Sequence, residues 1–131
     1  IPLMIGIDGE WGLAMRLKGV ERFPWNMTIG ALEGEDLVFK KGQQVGQQAN
    51  RMGIHFNFAP SIDVNVNPNN PIIGNRSYGS DPMNVAKKGT AFMKGQQSMK
   101  VLASAKHFPG HGDTDQDSHK TLPLISANKA N

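Results

Sequence analysis

The sequence predicts an α/β fold made of parallel βα units, about half of a (β/α)8 barrel of the TIM type. Three observations carry this. Apolar, β-rich runs alternate with segments of helical period from Ile1 to His107. The chemistry-bearing residues cluster just after each apolar run, at the strand ends where α/β folds build their sites. A closed barrel takes about 250 residues, and this chain has roughly half that and three clear strands. A doubly wound sheet would also put its site at the strand ends, and periodicity alone does not separate the two.

The first run, Ile1 to Asp8 (IPLMIGID), is nearly all apolar and ends in a carboxylate. A parallel strand covered on both faces reads this way. A glycine-containing loop follows, with Gly9, Gly12 and Gly19. From Glu35 to Met52, residues Leu37, Val38, Lys41, Val45, Ala49 and Met52 recur at helical spacing, and Gly53 is placed to stop the helix. Ile54 to Pro60 alternates and predicts a second strand. Asn65 to Gly79 is a polar loop dense in Asn, Pro and Gly. Asp81 and Pro82 form a helix start, a capping side chain followed by a ring suited to the first helical position. That helix is expected over Pro82 to Met99, and a third strand over Val101 to His107. The chain opens on a core-like strand rather than a Met, so an upstream part is expected, and residues 1–131 are read as one piece of a barrel domain incomplete at both ends.

Composition excludes several classes. The net charge of +3 comes from scattered Lys and Arg, which does not point to nucleic acid. There is no apolar run of about 18 residues to cross a membrane. Cys is absent, which removes disulfides and thiolate chemistry.

The segment KHFPGHGDTDQDSH, Lys106 to His119, concentrates three His, three Asp and one Lys in one loop. A solvated, glycine-rich connector is one reading, in which Gly110 and Gly112 supply backbone freedom. A metal site is a second, because His111, Asp113, Asp115, Asp117 and His119 alternate. The run lacks the Gly and terminal Glu of an EF-hand loop and the helical His pair of zinc proteases. The third reading is acid/base catalysis. Asp117 is close enough in sequence to bond an imidazole nitrogen of His119, to fix its tautomer and to raise its pKa above the unperturbed value of about 6.5. Such a His delivers and retrieves a proton near neutral pH.

KHFPGHG followed by DSH resembles the signature of family 3 glycoside hydrolases, in the branch that cleaves β-N-acetylglucosaminides. The resemblance implies that His119 is the general acid/base with Asp117 as its partner, and that Lys106 and His107 bind sugar. IGNRSYGSDP, Ile73 to Pro82, is similar to the family's loop after the third barrel strand, which implies that Arg76 contacts the sugar. IDGEWGLAMRL, Ile7 to Leu17, is similar to the segment after the second strand, where Asp8 would bind hydroxyls and Arg16 would face the same subsite. The family often has an Arg where Leu13 stands, so outer-pocket contacts are expected to vary here. The resemblance covers Ile1 to about Leu124. It implies a retaining, exo-acting enzyme without metal or cofactor, and places the nucleophile, an Asp, downstream of this chain. The fragment alone is therefore expected to be inactive, and the remainder of the barrel to be needed for a complete site.

The residues themselves suit a polar sugar. Asp8 and Glu10 accept hydrogen bonds, Arg16, Arg76 and Lys106 donate, and His107 does either. Trp11 would stack on a sugar face or pack in the core. His55, on the second strand, reads as structural. A β-glucosidase or phosphorylase of the same family, a metal-dependent hydrolase, and a carbohydrate-binding module without catalysis stand as alternatives. A carbohydrate is the expected partner, with neither nucleic acid nor membrane. A periplasmic or extracellular location is the expectation over a cytoplasmic one.

Overall fold

The computed structural model describes residues 1–117, Lys120 and Leu122. Three short strands, β1 (Gly6–Ile7), β2 (Phe56–Asn57) and β3 (Leu102–Ala103), form a parallel sheet in the order β1-β2-β3. Gly6 registers with Phe56 and Ile7 with Asn57, and these two register in turn with Leu102 and Ala103. The helices α1 (Asn26–Gly30) and α2 (Asp36–Arg51) lie between β1 and β2, and α3 (Pro82–Ser98) lies between β2 and β3. These are the parallel strand–helix units of a partial (β/α) barrel.

The ladders are shorter than the apolar runs that predicted them. Pairing changes character at Pro60, which has no N–H to donate. There Lys106 donates its backbone N–H to Pro60 O (3.0 Å) and Ile62 donates to Lys106 O (2.6 Å). A first strand covered on both faces was expected, and within this part of a barrel its residues are not covered in that way. Ile1, Leu3, Met4 and Ile5 are exposed. Within this chain β1 has one strand neighbour, β2. Ile7 joins the buried cluster of Leu13, Ala49, Ile54 and Val101. Phe58 and Leu102 stand about half exposed.

The two long helices follow their sequence signals closely. α2 falls one residue short of the predicted range at each end and stops before Gly53, whose φ of 72° is left-handed. The Asp81 side chain accepts from Met83 N (3.0 Å) and Pro82 opens α3. The buried stripe of α2 is Val38, Lys41, Gly42, Val45, Gly46 and Ala49, while Leu37 and Met52 face outward. The helices meet through glycines. A Cβ on Gly42 would lie 2.3 Å from Phe92 O, and one on Gly95 would lie 2.3 Å from Phe39 O. The resulting core unites Val38, Val45, Val85, Phe92, Tyr78 and Ile29. Each such large apolar side chain contributes about 1.5–3 kcal/mol on burial. Helix α1 was not foreseen: five residues with Thr and Gly carry too little periodicity to signal it.

Candidate active site

The C-terminal ends of the strands converge on one pocket. β1 leads into Asp8 and Glu10, β2 into Asp63, and β3 into Lys106 and His107, while the turn Gly74–Arg76 brings Arg76 in from the long loop. Asn57 clamps the first of these segments. Its side chain accepts from Gly9 N (2.9 Å) and donates to Gly9 O (3.2 Å) and to Gln96 of α3 (2.6 Å). The residues flanking Gly9 are fixed in consequence.

Five of the sequence-predicted residues come together here. Asp8 pairs with Arg16 at 2.7 Å through one oxygen and with Lys106 through the other. Lys106 also reaches Glu10 at 2.9 Å. Arg76 holds Glu10 with two hydrogen bonds, Nε at 2.8 Å and Nη2 at 2.7 Å. Its Nη2 lies 3.4 Å from His107 Nε2. The carboxylates of Asp8, Glu10 and Asp63 are thus interleaved with the cations of Arg16, Arg76 and Lys106, and the pocket is close to charge-balanced.

The titration of the acids reflects this. Burial pushes Asp8 up, but hydrogen bonds and charge from Lys106 and Arg16 outweigh it and hold the carboxyl below its ordinary value. Burial acts the same way on Glu10, and Arg76 and Lys106 outweigh it. The bond to Glu10 raises the Arg76 guanidinium further, against its partial burial. All three acids remain ionised at neutral pH, and the pocket presents fixed charges to a ligand.

The role expected for Glu10 changes. Its side chain is fully buried and both oxygens are occupied by Arg76 and Lys106, so it braces the cations instead of accepting from a sugar hydroxyl. Asp8 keeps a third of its side-chain surface exposed and Arg16 half, so these two remain available.

Asp63 was not singled out from sequence. It bonds the His107 ring at 2.6 Å and the backbone N–H groups of His107 (3.1 Å) and His111 (2.7 Å). The available signal was positional: Asp63 follows β2 as Asp8 follows β1, a carboxylate shortly past a strand end.

Within the loop from Lys106, the side chains separate. His111 turns inward, its Nδ1 3.0 Å from Thr114 Oγ1, while Asp113 and Asp115 are exposed. Among the described residues no group of three or more His, Cys, Asp or Glu converges to hold a metal. Gly112 does not serve mobility. A Cβ there would lie 1.7 Å from Val64 O, so glycine permits the loop backbone to pack against residue 64. Gly110 has a φ of 132° and open space around it. Asp117 is half-buried and accepts from Lys120 N at 2.9 Å. Ser118 and His119 lie outside the described residues.

Three other expectations are resolved. Trp11 packs against Trp25 with ring centroids 4.4 Å apart. Leu13 is fully buried and does not line the pocket. His55 accepts from Ile5 N at 3.2 Å, a structural role.

Comparison with known proteins gives consistent matches. The family model for the glycosyl hydrolase family 3 N terminal domain matches residues 1–131. A β-hexosaminidase A of Pseudoalteromonas piscicida is 44% identical over 130 residues, 95% of this chain and 22% of that protein. A β-N-acetylglucosaminidase/β-glucosidase of Cellulomonas fimi is 33% identical over 119 residues, 91% of this chain and 21% of that protein. The structure of a glycoside hydrolase family 3 β-N-acetylglucosaminidase from Paenibacillus sp. str. FPU-7 superposes with a TM-score of 0.93 at 45% identity, over 99% of this chain and 25% of that one. The chain therefore spans between a fifth and a quarter of the length of these relatives.

Proposed function

The chain belongs to glycosyl hydrolase family 3, in its β-N-acetylglucosaminidase/hexosaminidase branch, and from that premise we propose that it forms the sugar-binding and acid/base half of a retaining, exo-acting β-N-acetylglucosaminidase. One observation carries the reading: the charge-balanced pocket of Asp8, Arg16, Arg76, Lys106 and His107 at the strand ends, joined directly to the loop that bears Asp117 and His119. Charged donors and acceptors fixed in place make strong, directional bonds to hydroxyls, and they need no rearrangement when the sugar arrives.

In the proposed reaction an Asp from elsewhere in the protein attacks the anomeric carbon. His119, protonated, gives its proton to the leaving oxygen as the glycosidic bond breaks. In the second half His119 takes a proton from water as that water displaces the enzyme carboxylate and releases the sugar with retained configuration. Asp117 holds the imidazole and stabilises it when charged. Residues 1–131 are the part of the (β/α)8 catalytic domain that excludes the nucleophile, so the isolated piece releases no phenol from an aryl N-acetylglucosaminide.

The test is His119→Ala in the full-length protein. Loss of general acid/base help lowers turnover of a natural disaccharide by about 10²–10⁴-fold. An activated aryl glycoside, whose leaving group needs less protonation, loses less in the bond-breaking step. If both substrates are cleaved at the wild-type rate, the acid/base assignment is wrong.

A second reading, cleavage of β-glucosides, is favoured by the paired activities in the name of the Cellulomonas fimi relative; with phosphate in place of water in the second step it becomes a phosphorolysis. Aryl glucoside and aryl N-acetylglucosaminide turnover, each with and without phosphate and with the sugar product identified, separates these outcomes.

A further inference from the structure

The Asp63 side chain is fully buried and receives four donors. Its Oδ2 accepts from the His107 backbone N–H (3.1 Å), the His107 ring (2.6 Å) and the Ser61 hydroxyl (3.2 Å). Its Oδ1 accepts from the His111 backbone N–H (2.7 Å). One carboxylate therefore fastens both ends of the turn from 107 to 111. Burial pushes its pKa up, but the His107 ring and the two backbone N–H groups outweigh this and keep it below the ordinary range.

An ionised carboxylate only accepts hydrogen bonds, so the nitrogen facing it, Nδ1 of His107, carries a hydrogen. The other ring nitrogen faces Arg76 Nη2 at 3.4 Å, and a guanidinium only donates. Nε2 therefore carries its lone pair, which Arg76 meets only at 3.4 Å, and a hydroxyl that binds there takes the place of Arg76 as donor. The His107 side chain is 38% exposed, so a ligand can reach the ring.

We propose that Asp63 is the positioning residue for His107: it holds the ring in the Nδ1–H tautomer and presents Nε2, beside Arg76, as the hydrogen-bond acceptor for a substrate hydroxyl. This rests on the reading of His107 as a sugar-contacting residue; the tautomer itself does not. The consequence is a directional demand on the ligand. A sugar hydroxyl at this position donates to His107 while its oxygen accepts from Arg76 or Lys106. An O-methyl group there has no hydrogen to give.

The full-length protein labelled with ¹⁵N-histidine tests this without turnover. Long-range ¹H–¹⁵N correlation is expected to show His107 with a protonated Nδ1 and a bare Nε2. A bare Nδ1 with a protonated Nε2 in the wild type overturns the proposal, whatever any variant does. Asp63→Ala takes away the acceptor that faces Nδ1, so nothing then holds the ring in a single tautomer. The expected result is loss of the Nδ1–H pattern and a fall in kcat/KM of roughly 10- to 100-fold, the scale of one or two charged hydrogen bonds. Because Asp63 acts on the ring as well as on the backbone of residues 107 and 111, Asp63→Ala should cost less in a His107→Ala background than in the wild type; an equal cost in both means that Asp63 acts through the backbone alone and refutes the assignment. If the protein turns over no β-glycoside, the functional reading fails, and the spectrum still decides the role of Asp63.

Discussion

Replacing Glu10 by Gln removes one negative charge from the middle of the pocket while keeping the side chain's volume. Glu10 has no exposed surface, and its oxygens accept from Arg76 Nε, Arg76 Nη2 and Lys106 Nζ at 2.7–2.9 Å. The carboxamide would offer one acceptor and turn an NH₂ group toward cations that can only donate. Breaking a buried ion pair by removing one partner costs about 3–5 kcal/mol. Arg76 and Lys106 keep 22% and 16% of their side-chain surface, so water relieves part of this and the cost should be near 3 kcal/mol. The effect has a pH signature. Folding lowers the Glu10 pKa, because Arg76 and Lys106 outweigh its burial. A carboxyl lowered on folding contributes its full stabilisation above its unfolded pKa of about 4.3 and loses it as pH falls toward the folded value. The gap between wild type and Glu10→Gln is therefore widest at neutral pH and narrows below about pH 4, by up to about 1.4 kcal/mol per pH unit. Urea unfolding of the full-length protein, followed by tryptophan fluorescence at pH 7 and pH 3, measures both quantities. An equal gap at the two pH values, or none at pH 7, refutes the view that Glu10 is the ionised anchor of the two cations.

Two further outcomes follow from the packing. Lys41 is buried, donates to Asn26 Oδ1 (3.0 Å) and Pro24 O (3.4 Å), and burial lowers its pKa to about 8. A Lys lowered on folding gives stability that rises with pH between the folded and unfolded values. Relative to Lys41→Met, the wild type should gain up to about 1.4 kcal/mol per pH unit from pH 8 to 10; a difference that stays flat from pH 7 to 10 is the contrary result. Gly42→Ala would gain about 1 kcal/mol of helix propensity in isolation, but its Cβ would meet the Phe92 carbonyl oxygen at 2.3 Å. Overpacking of about 1–3 kcal/mol should dominate and lower the melting temperature; a raised one would mean that α2 and α3 separate at little cost.

What the sequence could and could not disclose follows from the range of each interaction. The long helices were legible because their signals are local: a 3.6-residue stripe, Asp81 and Pro82 at one start, Gly53 at one stop. Parallel order also made the grouping of Asp8, Arg76, Lys106 and His107 legible, since strand ends in such a sheet must converge. Orientation within the group was not legible. Asp8 and Glu10 are two residues apart in a segment that has left its strand, and no periodicity says which one turns inward. That is settled by Arg76 and Lys106, which lie 66 and 98 residues from their partners Glu10 and Asp8. The same holds for Asp63, whose function exists only once residues 107 and 111 are folded against it, and for Gly112, whose close neighbour is Val64.

This division bears on how the pocket can recognise a sugar. Glu10 and Asp63 are spent internally, one bracing cations and one orienting His107, which leaves Asp8 as the only partly exposed carboxylate of the cluster. Asp8 is itself flanked by Arg16 and Lys106, so a hydroxyl that donates to Asp8 sits within reach of two donors for its own lone pairs. A hydroxyl is both donor and acceptor, and this local set of one acceptor between two donors matches it; a carboxylate ligand would meet Asp8 with like charge, and an ammonium would meet Arg16 and Lys106. On the proposed function, this pairing favours a neutral, hydroxyl-rich ligand, and it depends on Glu10 and Asp63 being buried and already satisfied.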